Sequence, residues 1–460
     1  MINREEASFR DPSGYVYYDK NKVFRRINKC YFRQYEYFIK SGLYDELVNE
    51  GLIISHKKIK QTKNYIILEV EKIPFISYAY EWCFDELRDA ALLTLKIQKI
   101  ALKYGMYLKD ASNFNIQFLN GKATFIDVLS FDFYVDGLPW GAYGQFCRHF
   151  MAPLLLMSCV DGSLNSLLKN YIDGIPIDVA NNILKGRGGF TAREHIKWHS
   201  NSISKNNNKV SCKKMFISKA KLINMIEMMM RQILRLKNST VVTEWENYYD
   251  NTNYNDEATS IKEGIILKFL ESIKLSNSDI VWDLGANDGR YSRLVSDCSC
   301  VVSFDIDGKA VNKNYLKVKK NGELNILPLI LDLTNPTSSI GFSCSERKSL
   351  MERGNVKCVM ALALIHHLAI SNNLPLDKLA KFFGELGEFL IIEFVPKEDS
   401  QVEKLLKTRI DIFDDYNFQT FEKTFSSVFK IIDKGSIKGS KRVIYLMKRR
   451  VFGEEWWIIV

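Results

Sequence analysis

From Ile280 to Met447 short apolar runs alternate with longer mixed stretches. The runs fall at Ile280–Leu284, Val301–Phe304, Ile326–Leu331, Val359–Leu364 and Phe389–Val395. Several are apolar throughout rather than at every second position, which is the pattern of strands covered on both faces of a parallel sheet. The stretches between them are long enough for helices. The last pair, Val428–Ile432 and Arg442–Met447, flanks Lys434-Gly435-Ser436-Ile437-Lys438-Gly439-Ser440 and predicts an antiparallel hairpin closing one sheet edge. The carboxy-terminal half therefore reads as α/β, a Rossmann-like sheet of seven strands.

Ahead of this region the pattern changes. Residues 201–240 carry nine basic side chains and one acid, Glu227, for a net charge of +8. The polar run Asn201 to Lys209 reads as a loop. From Lys219 to Leu236, apolar residues at Leu222, Ile226, Met229, Ile233 and Leu236 recur every three or four positions and predict an amphipathic helix. This stretch is expected to bridge two domains, its basic face either solvated or touching phosphates or an anionic membrane surface. Trp245, Tyr248, Tyr249 and Tyr254 follow it and are read either as a lid over a site or as domain packing. Further upstream, Glu86 to Tyr104 predicts another helix.

Composition narrows the function classes without choosing one. A chain of 460 residues, 46% hydrophobic and 26% charged, is ordinary globular protein with length for two or three domains. The longest apolar runs, Phe150 to Val160 and Val359 to Ile370, are well short of the roughly 18 residues of a spanning helix. The charged start Met1-Ile2-Asn3-Arg4-Glu5-Glu6 lacks the apolar core of a signal peptide. Nine cysteines without a C-x-x-C pair read as reduced thiols, and a cytoplasmic setting is expected. The net charge of +10 permits an anionic partner without requiring one.

Candidate chemistry concentrates in Val281-Trp282-Asp283-Leu284-Gly285-Ala286-Asn287-Asp288-Gly289-Arg290, where a buried strand runs into a glycine-bearing turn and a helix is expected from about Arg290. Gly285 allows close backbone approach, and Asn287 and Gly289 tolerate positive φ. Asp305 closes the next strand, where a carboxylate accepts both ribose hydroxyls, and Asp332 closes the third, where it receives an adenine amino group. The series Asp283-x-Gly285-x-Asn287-x-Gly289 resembles the first motif of the class I S-adenosylmethionine-dependent methyltransferases. That resemblance implies that Gly285 lies beneath the methionine portion, that Asp305 and Ile306 hold the ribose, and that Asp332 with Leu333 flanks the adenine. A nicotinamide-binding domain is the competing reading. It is disfavoured because Asp288 in the turn repels a pyrophosphate, whereas S-adenosylmethionine carries no phosphate. After the fourth strand, Leu364-Ile365-His366-His367 offers His366 or His367 as a general base, and Glu393 at the end of the fifth is a second acid or an orienting group. No metal is expected in this domain.

In the amino-terminal half, Asp110, Asn115 five residues on, and Asp127 after a short apolar run resemble the catalytic loop and metal-binding aspartate of the protein-kinase and aminoglycoside-phosphotransferase superfamily. The resemblance implies an α+β kinase-like domain, active or degenerate, with ATP and magnesium as its ligands if active. Asp11-Pro-Ser-Gly14 would begin a reduced phosphate-covering hairpin, with Arg25 or Arg26 near the nucleotide lysine. Departures are Leu108 in place of the usual histidine, a lone Gly14, and little room before Asp110 for a full small lobe.

Across nearly the whole chain, Asp11-Pro-Ser-Gly14, Phe75-Ile-Ser-Tyr78, Tyr80-Glu-Trp-Cys83, Leu108-Lys-Asp-Ala-Ser112, Phe125-Ile-Asp-Val-Leu-Ser130 and Glu393-Phe-Val-Pro-Lys397 resemble the bacterial methyltransferases related to the rhizobial host-specificity nodulation protein. The expected organisation is a kinase-like domain over 1–200, a basic bridge over 201–240, a methyltransferase domain over 241–450 and a tail over 451–460. The family implies O-methylation of a saccharide or glycolipid precursor. Two alternatives stand beside it, a bifunctional kinase–methyltransferase and an RNA methyltransferase whose nucleic-acid partner meets the basic bridge.

Overall fold

The computed structural model of the chain describes residues 3–185, 216–239, 243, 256–296, 298–407 and 409–450. Two units divide it, one of Met1–Val242 with Ser339–Arg347 and one of Thr243–Ser338 with Lys348–Val460. The aromatic segment around Trp245 to Tyr254, the loop Asn201 to Lys209 and the tail 451–460 lie outside the described residues.

The first unit opens with a five-stranded antiparallel sheet of order β1-β2-β3-β5-β4, formed by β1 (Asn3–Arg4), β2 (Gly14–Asp19), β3 (Lys22–Asn28), β4 (His56–Gln61) and β5 (Tyr65–Val70). Helices α1 (Phe32–Lys40) and α2 (Leu43–Asn49) stand between β3 and β4, separated by Gly42 at φ +83°. Residues 14–70 hold four strands in the order β2-β3-β5-β4 and, between β3 and β4, two helices. Next comes the buried helix α3 (Phe84–Lys103), which carries the run predicted from Glu86 to Tyr104. Strands β6 (Met106–Leu108) and β9 (Phe131–Phe133) then pair, and β7 (Ile116–Leu119) and β8 (Lys122–Phe125) form a hairpin between them. Asn120 and Gly121 both take positive φ in that hairpin turn, the conformation a two-residue loop demands.

The basic helix forms as α4 (Lys219–Arg235) and buries Leu222, Ile226, Met229 and Ile233, four of the five positions its periodicity marked. It packs on α3, where Glu227 accepts from Lys99 at 2.6 Å. It thus belongs to the first unit's body. The segment Ser339–Arg347, placed by sequence inside the second domain, also belongs to the first unit. Glu346 is bound twice by Arg10, and the Arg347 guanidinium lies 3.3 Å from the centroid of the Phe114 ring.

The second unit is built on seven strands ordered β12-β11-β10-β13-β14-β16-β15: β10 (Ile280–Leu284), β11 (Cys300–Asp305), β12 (Ile326–Ile330), β13 (Val356–Ala361), β14 (Gly387–Phe394), β15 (Phe429–Ser436) and β16 (Val443–Arg449). The first five run parallel, and β16 is antiparallel to both its neighbours. Helix α5 (Asp256–Ile273) lays Ile266, Phe269, Leu270 and Ile273 into a core with Val281, Val301, Cys358, Ile391 and Leu446. From β10 the chain winds outward through β11 and β12, then returns to β13 on the other side. The switch point between β10 and β13 is where such sheets hold ligands.

One local expectation fails. No α-helix begins near Arg290; a single 3-10 turn, Ser292–Leu294, joins β10 to β11. Side chains capture this connection: Ser292 bonds Asp283 and Ser303, and Arg293 bonds the Asp288 and Gly289 carbonyls, the Asn314 amide oxygen and Glu323.

Candidate active site

At the carboxyl ends of β10 to β13 the second unit encloses a cavity of about 390 Å³, within the range typical of small-molecule sites. Its floor is the turn after β10. Gly285, at φ +73°, and Ala286 both donate their N–H to the Phe304 carbonyl at 2.9 Å, which draws the turn over the end of β11. A Cβ on Gly285 would lie 3.3 Å from Leu364 on the facing wall, so a side chain here narrows the cavity. Asn287 follows at φ +51° and lines the site. Gly289, at φ +77°, does not; its Cα packs against the Asn314 and Arg293 side chains, so its role is to close the turn.

Three acids line one side. Asp305 Oδ2 accepts the Asn287 N–H at 2.8 Å and Oδ1 the Asp307 N–H at 2.9 Å. A carboxylate has about four acceptor positions, so capacity remains for ligand hydroxyls. Asp283 Oδ2 accepts from the Ser292 hydroxyl at 2.6 Å. Burial pushes both Asp283 and Asp305 up to about 6, and their hydrogen bonds only partly oppose it. Asp332 is held by the Thr334 N–H and hydroxyl at 2.8 and 2.7 Å, and Ile306 and Leu333 complete this side. Asp288 differs from its sequence reading: it is buried and ion-paired with Lys317 at 2.5 Å, so the repulsion invoked against a pyrophosphate is largely compensated.

The opposite wall comes from the loop after β13. Ala363 takes φ +49°, and Leu364, His367 and Leu368 line the cavity. His366 does not; it is buried behind, its ring 4.1 Å from that of His367, with Nδ1 unpartnered. Burial lowers His367 to about 4 and His366 well below its ordinary value, so both are neutral at pH 7. Glu393 also stays off the lining. It is fully buried, and its Oε2 accepts from Lys262 Nζ at 2.6 Å and from the Ala363 N–H at 2.8 Å. Arg442 approaches its Oε1 at 3.5 Å and binds Asp399 through two nitrogens. Glu393 is thus an orienting anchor for the loop that carries the histidines.

Sequence reasoning missed Thr259, Lys262, Arg290 and Tyr291, all of which line the cavity. Thr259 and Lys262 share one face of α5 at a three-residue spacing, a pattern indistinguishable from any helix with a polar position in its apolar stripe.

In the first unit, Asp110, Asn115 and Asp127 stand around the β6–β9 and β7–β8 pairs. Asp110 caps its own turn through the Ser112 N–H at 2.9 Å. Asn115 donates to the Ser130 hydroxyl at 3.1 Å, and that hydroxyl donates to Asp127 at 2.5 Å. Asp127 is also ion-paired with Arg25 of β3.

The strand order, the left-handed turn after the first strand and the acids at the ends of the next strands are those of the class I methyltransferase fold. The chain is 31% identical over 466 residues to the nodulation protein NoeA of Rhizobium meliloti (strain 1021), covering 97% of this chain and 96% of NoeA. It belongs to that protein's family. No family model matches the chain. Among the solved structures to which the chain is similar is the N-methyltransferase NodS from Bradyrhizobium japonicum WM9 with S-adenosyl-L-homocysteine (7% identity, 45% of this chain, 93% of NodS, TM-score 0.32). Another is the magnesium protoporphyrin IX methyltransferase ChlM from Synechocystis PCC 6803 with S-adenosyl-L-homocysteine (17% identity, 45% of this chain, 93% of ChlM, TM-score 0.31). No helix among the described residues is long and apolar enough to cross a membrane.

Proposed function

We propose that this protein transfers the methyl group of S-adenosylmethionine to an oxygen of a saccharide or glycolipid precursor. The observation that carries the cofactor part is the pair of buried carboxylates, Asp283 and Asp305, set beside the left-handed Gly285 at the floor of a 390 Å³ cavity. These residues fit the cofactor: Asp305 would receive the ribose hydroxyls, Asp332 and Leu333 would flank the adenine, and Gly285 would leave space for the amino-acid end. When bound, the cofactor supplies an activated methyl group. The protein's part is to align the acceptor and take its proton. That His367 is neutral and lines the wall facing Gly285, with His366 packed behind it, supports His367 as the base for that proton. The saccharide acceptor rests on the family's link to nodulation. Asp283→Ala and Asp305→Ala should each abolish cofactor binding in titration calorimetry; unchanged affinity in both overturns the assignment.

A second reading concerns the first unit. The order α3, β6, Asp110–Asn115, the β7–β8 hairpin, Asp127 and β9 supports a kinase-like fold. The Arg25 pair and the Ser130 bridge occupy Asp127, which favours a degenerate member over an active bifunctional kinase–methyltransferase. A thermal shift with ATP and magnesium that vanishes in Asp127→Ala would establish the active form instead.

A further inference from the structure

Helix α4 divides its residues between two opposite faces. Leu222, Ile226, Met229 and Ile233 are buried in the body of the first unit, where α4 packs on α3. Lys221, Asn224, Met228, Arg231 and Arg235 recur at alternating steps of three and four and form a stripe on the other side, every one of them exposed. Glu227 is the one acid of the helix, and Lys99 of α3 neutralises it at 2.6 Å. The exposed stripe is therefore basic, with the apolar Met228 at its centre.

The amino-terminal end of the same helix gathers apolar side chains from two segments. Phe216, 72% exposed, lies across Gly137, where an added Cβ would come within 2.4 Å of its ring. The Ile217 N–H donates to the Gly137 carbonyl at 3.0 Å and fastens the start of α4 to the turn after β9. Val135 and Leu138 of that turn are 57% and 49% exposed. Its acid, Asp136, accepts from the Tyr134 hydroxyl at 3.2 Å. Beside the turn, Lys40, Lys103 and Lys219, at the ends of α1, α3 and α4, line an open depression of about 510 Å³. The Gly105 carbonyl on the same lining accepts the Tyr134 N–H at 2.9 Å. Lys40 and Lys103 are loosely paired, with Glu36 at 3.6 Å and Glu46 at 3.9 Å.

We propose that this side of the first unit docks on an anionic lipid bilayer. Phe216, Val135 and Leu138 enter the headgroup region, and the α4 stripe and the lysine-lined depression lie against the anionic headgroups. The proposal uses residues of the first unit alone and does not depend on the methyl-transfer reading. An exposed apolar patch rimmed by basic side chains fits a surface that is negatively charged outside and apolar beneath. Each Lys or Arg held near such a surface strengthens binding by about fivefold. The apolar members decide between a bilayer and a nucleic acid. Valine, leucine and methionine have no planar face on which a base stacks, whereas entry into lipid removes them from water.

Flotation of the full chain with lipid vesicles tests this. Wild type should float with vesicles of phosphatidylcholine and phosphatidylglycerol in equal parts and not with phosphatidylcholine alone, and added salt should weaken the binding. The variant Lys221→Gln/Arg231→Gln/Arg235→Gln should bind the mixed vesicles about a hundredfold more weakly, from three losses of about fivefold. Phe216→Ser should bind them about tenfold more weakly, the effect of withdrawing an aromatic ring from lipid, and should keep the salt dependence. Should Phe216→Ser disturb the start of α4, Val135→Ser/Leu138→Ser tests the apolar contact through the other segment and should weaken binding to a similar degree. Equal flotation with phosphatidylcholine alone overturns the proposal, as does unchanged binding in the charge variant or in both apolar variants. Absence of flotation with the mixed vesicles also overturns it, and a single-stranded RNA bound by the wild type under those conditions would mark the face as a nucleic-acid surface instead.

Discussion

Acidification gives the sharpest handle on the cavity, because Asp283 and Asp305 are held near 6 by burial rather than in the usual carboxylate range. Both must be ionised to accept ligand hydroxyls and attract a cationic sulfur. A group titrating near 6 is roughly nine-tenths protonated at pH 5, so each carboxylate that binding requires weakens it about tenfold between pH 7.5 and 5. The two together predict a loss of about tenfold to a hundredfold. Stability of the unliganded protein moves the opposite way. A carboxyl raised in the folded state favours folding at low pH, and that contribution is lost as pH rises from the ordinary aspartate value through about 6. S-adenosylmethionine titrated calorimetrically at pH 5.0, 6.0 and 7.5 measures the first effect, and Asp305→Asn should flatten the profile. An affinity that is level across this range, or higher at pH 5, would refute the claim that these carboxylates engage the ligand in ionised form.

Two substitutions probe the rest of the site. Gly285→Ala forces a side chain into left-handed backbone and toward Leu364. It should cost about 1–2 kcal/mol in denaturant unfolding and weaken nucleoside binding as well. Glu393→Ala leaves Lys262 and Arg442 buried without their shared carboxylate and releases the Ala363 N–H. Loss of about 3–5 kcal/mol in the same unfolding assay is expected, whereas a loss below about 1 kcal/mol would show that Glu393 is not the anchor.

The sheet was legible because strands buried on both faces leave uninterrupted apolar runs, and those at Ile280, Val301, Ile326, Val359 and Phe389 each mark a strand of the second unit. The acids were legible because strand ends are positions that spacing locates. What escaped was information carried between distant segments. Lys262 looks like an isolated polar residue in α5 until β14 brings Glu393 beside it. Asp288 reads as a bare charge until Lys317 packs against it. The connection after β10 has helical length, yet Ser292 and Arg293 spend their hydrogen bonds tying it to β10, β11 and Asn314, so only one 3-10 turn forms. Ser339–Arg347 lies between strands of the second unit in sequence, and only the side chains of Arg10 and Phe114 reveal where it packs.

A crystal structure with S-adenosylhomocysteine tests the central claim most directly. The account predicts adenosine in the cavity, its ribose hydroxyls within hydrogen-bonding distance of Asp305 and its sulfur over Gly285. A nucleoside bound elsewhere, or a cavity that excludes it at saturating concentration, would contradict the account.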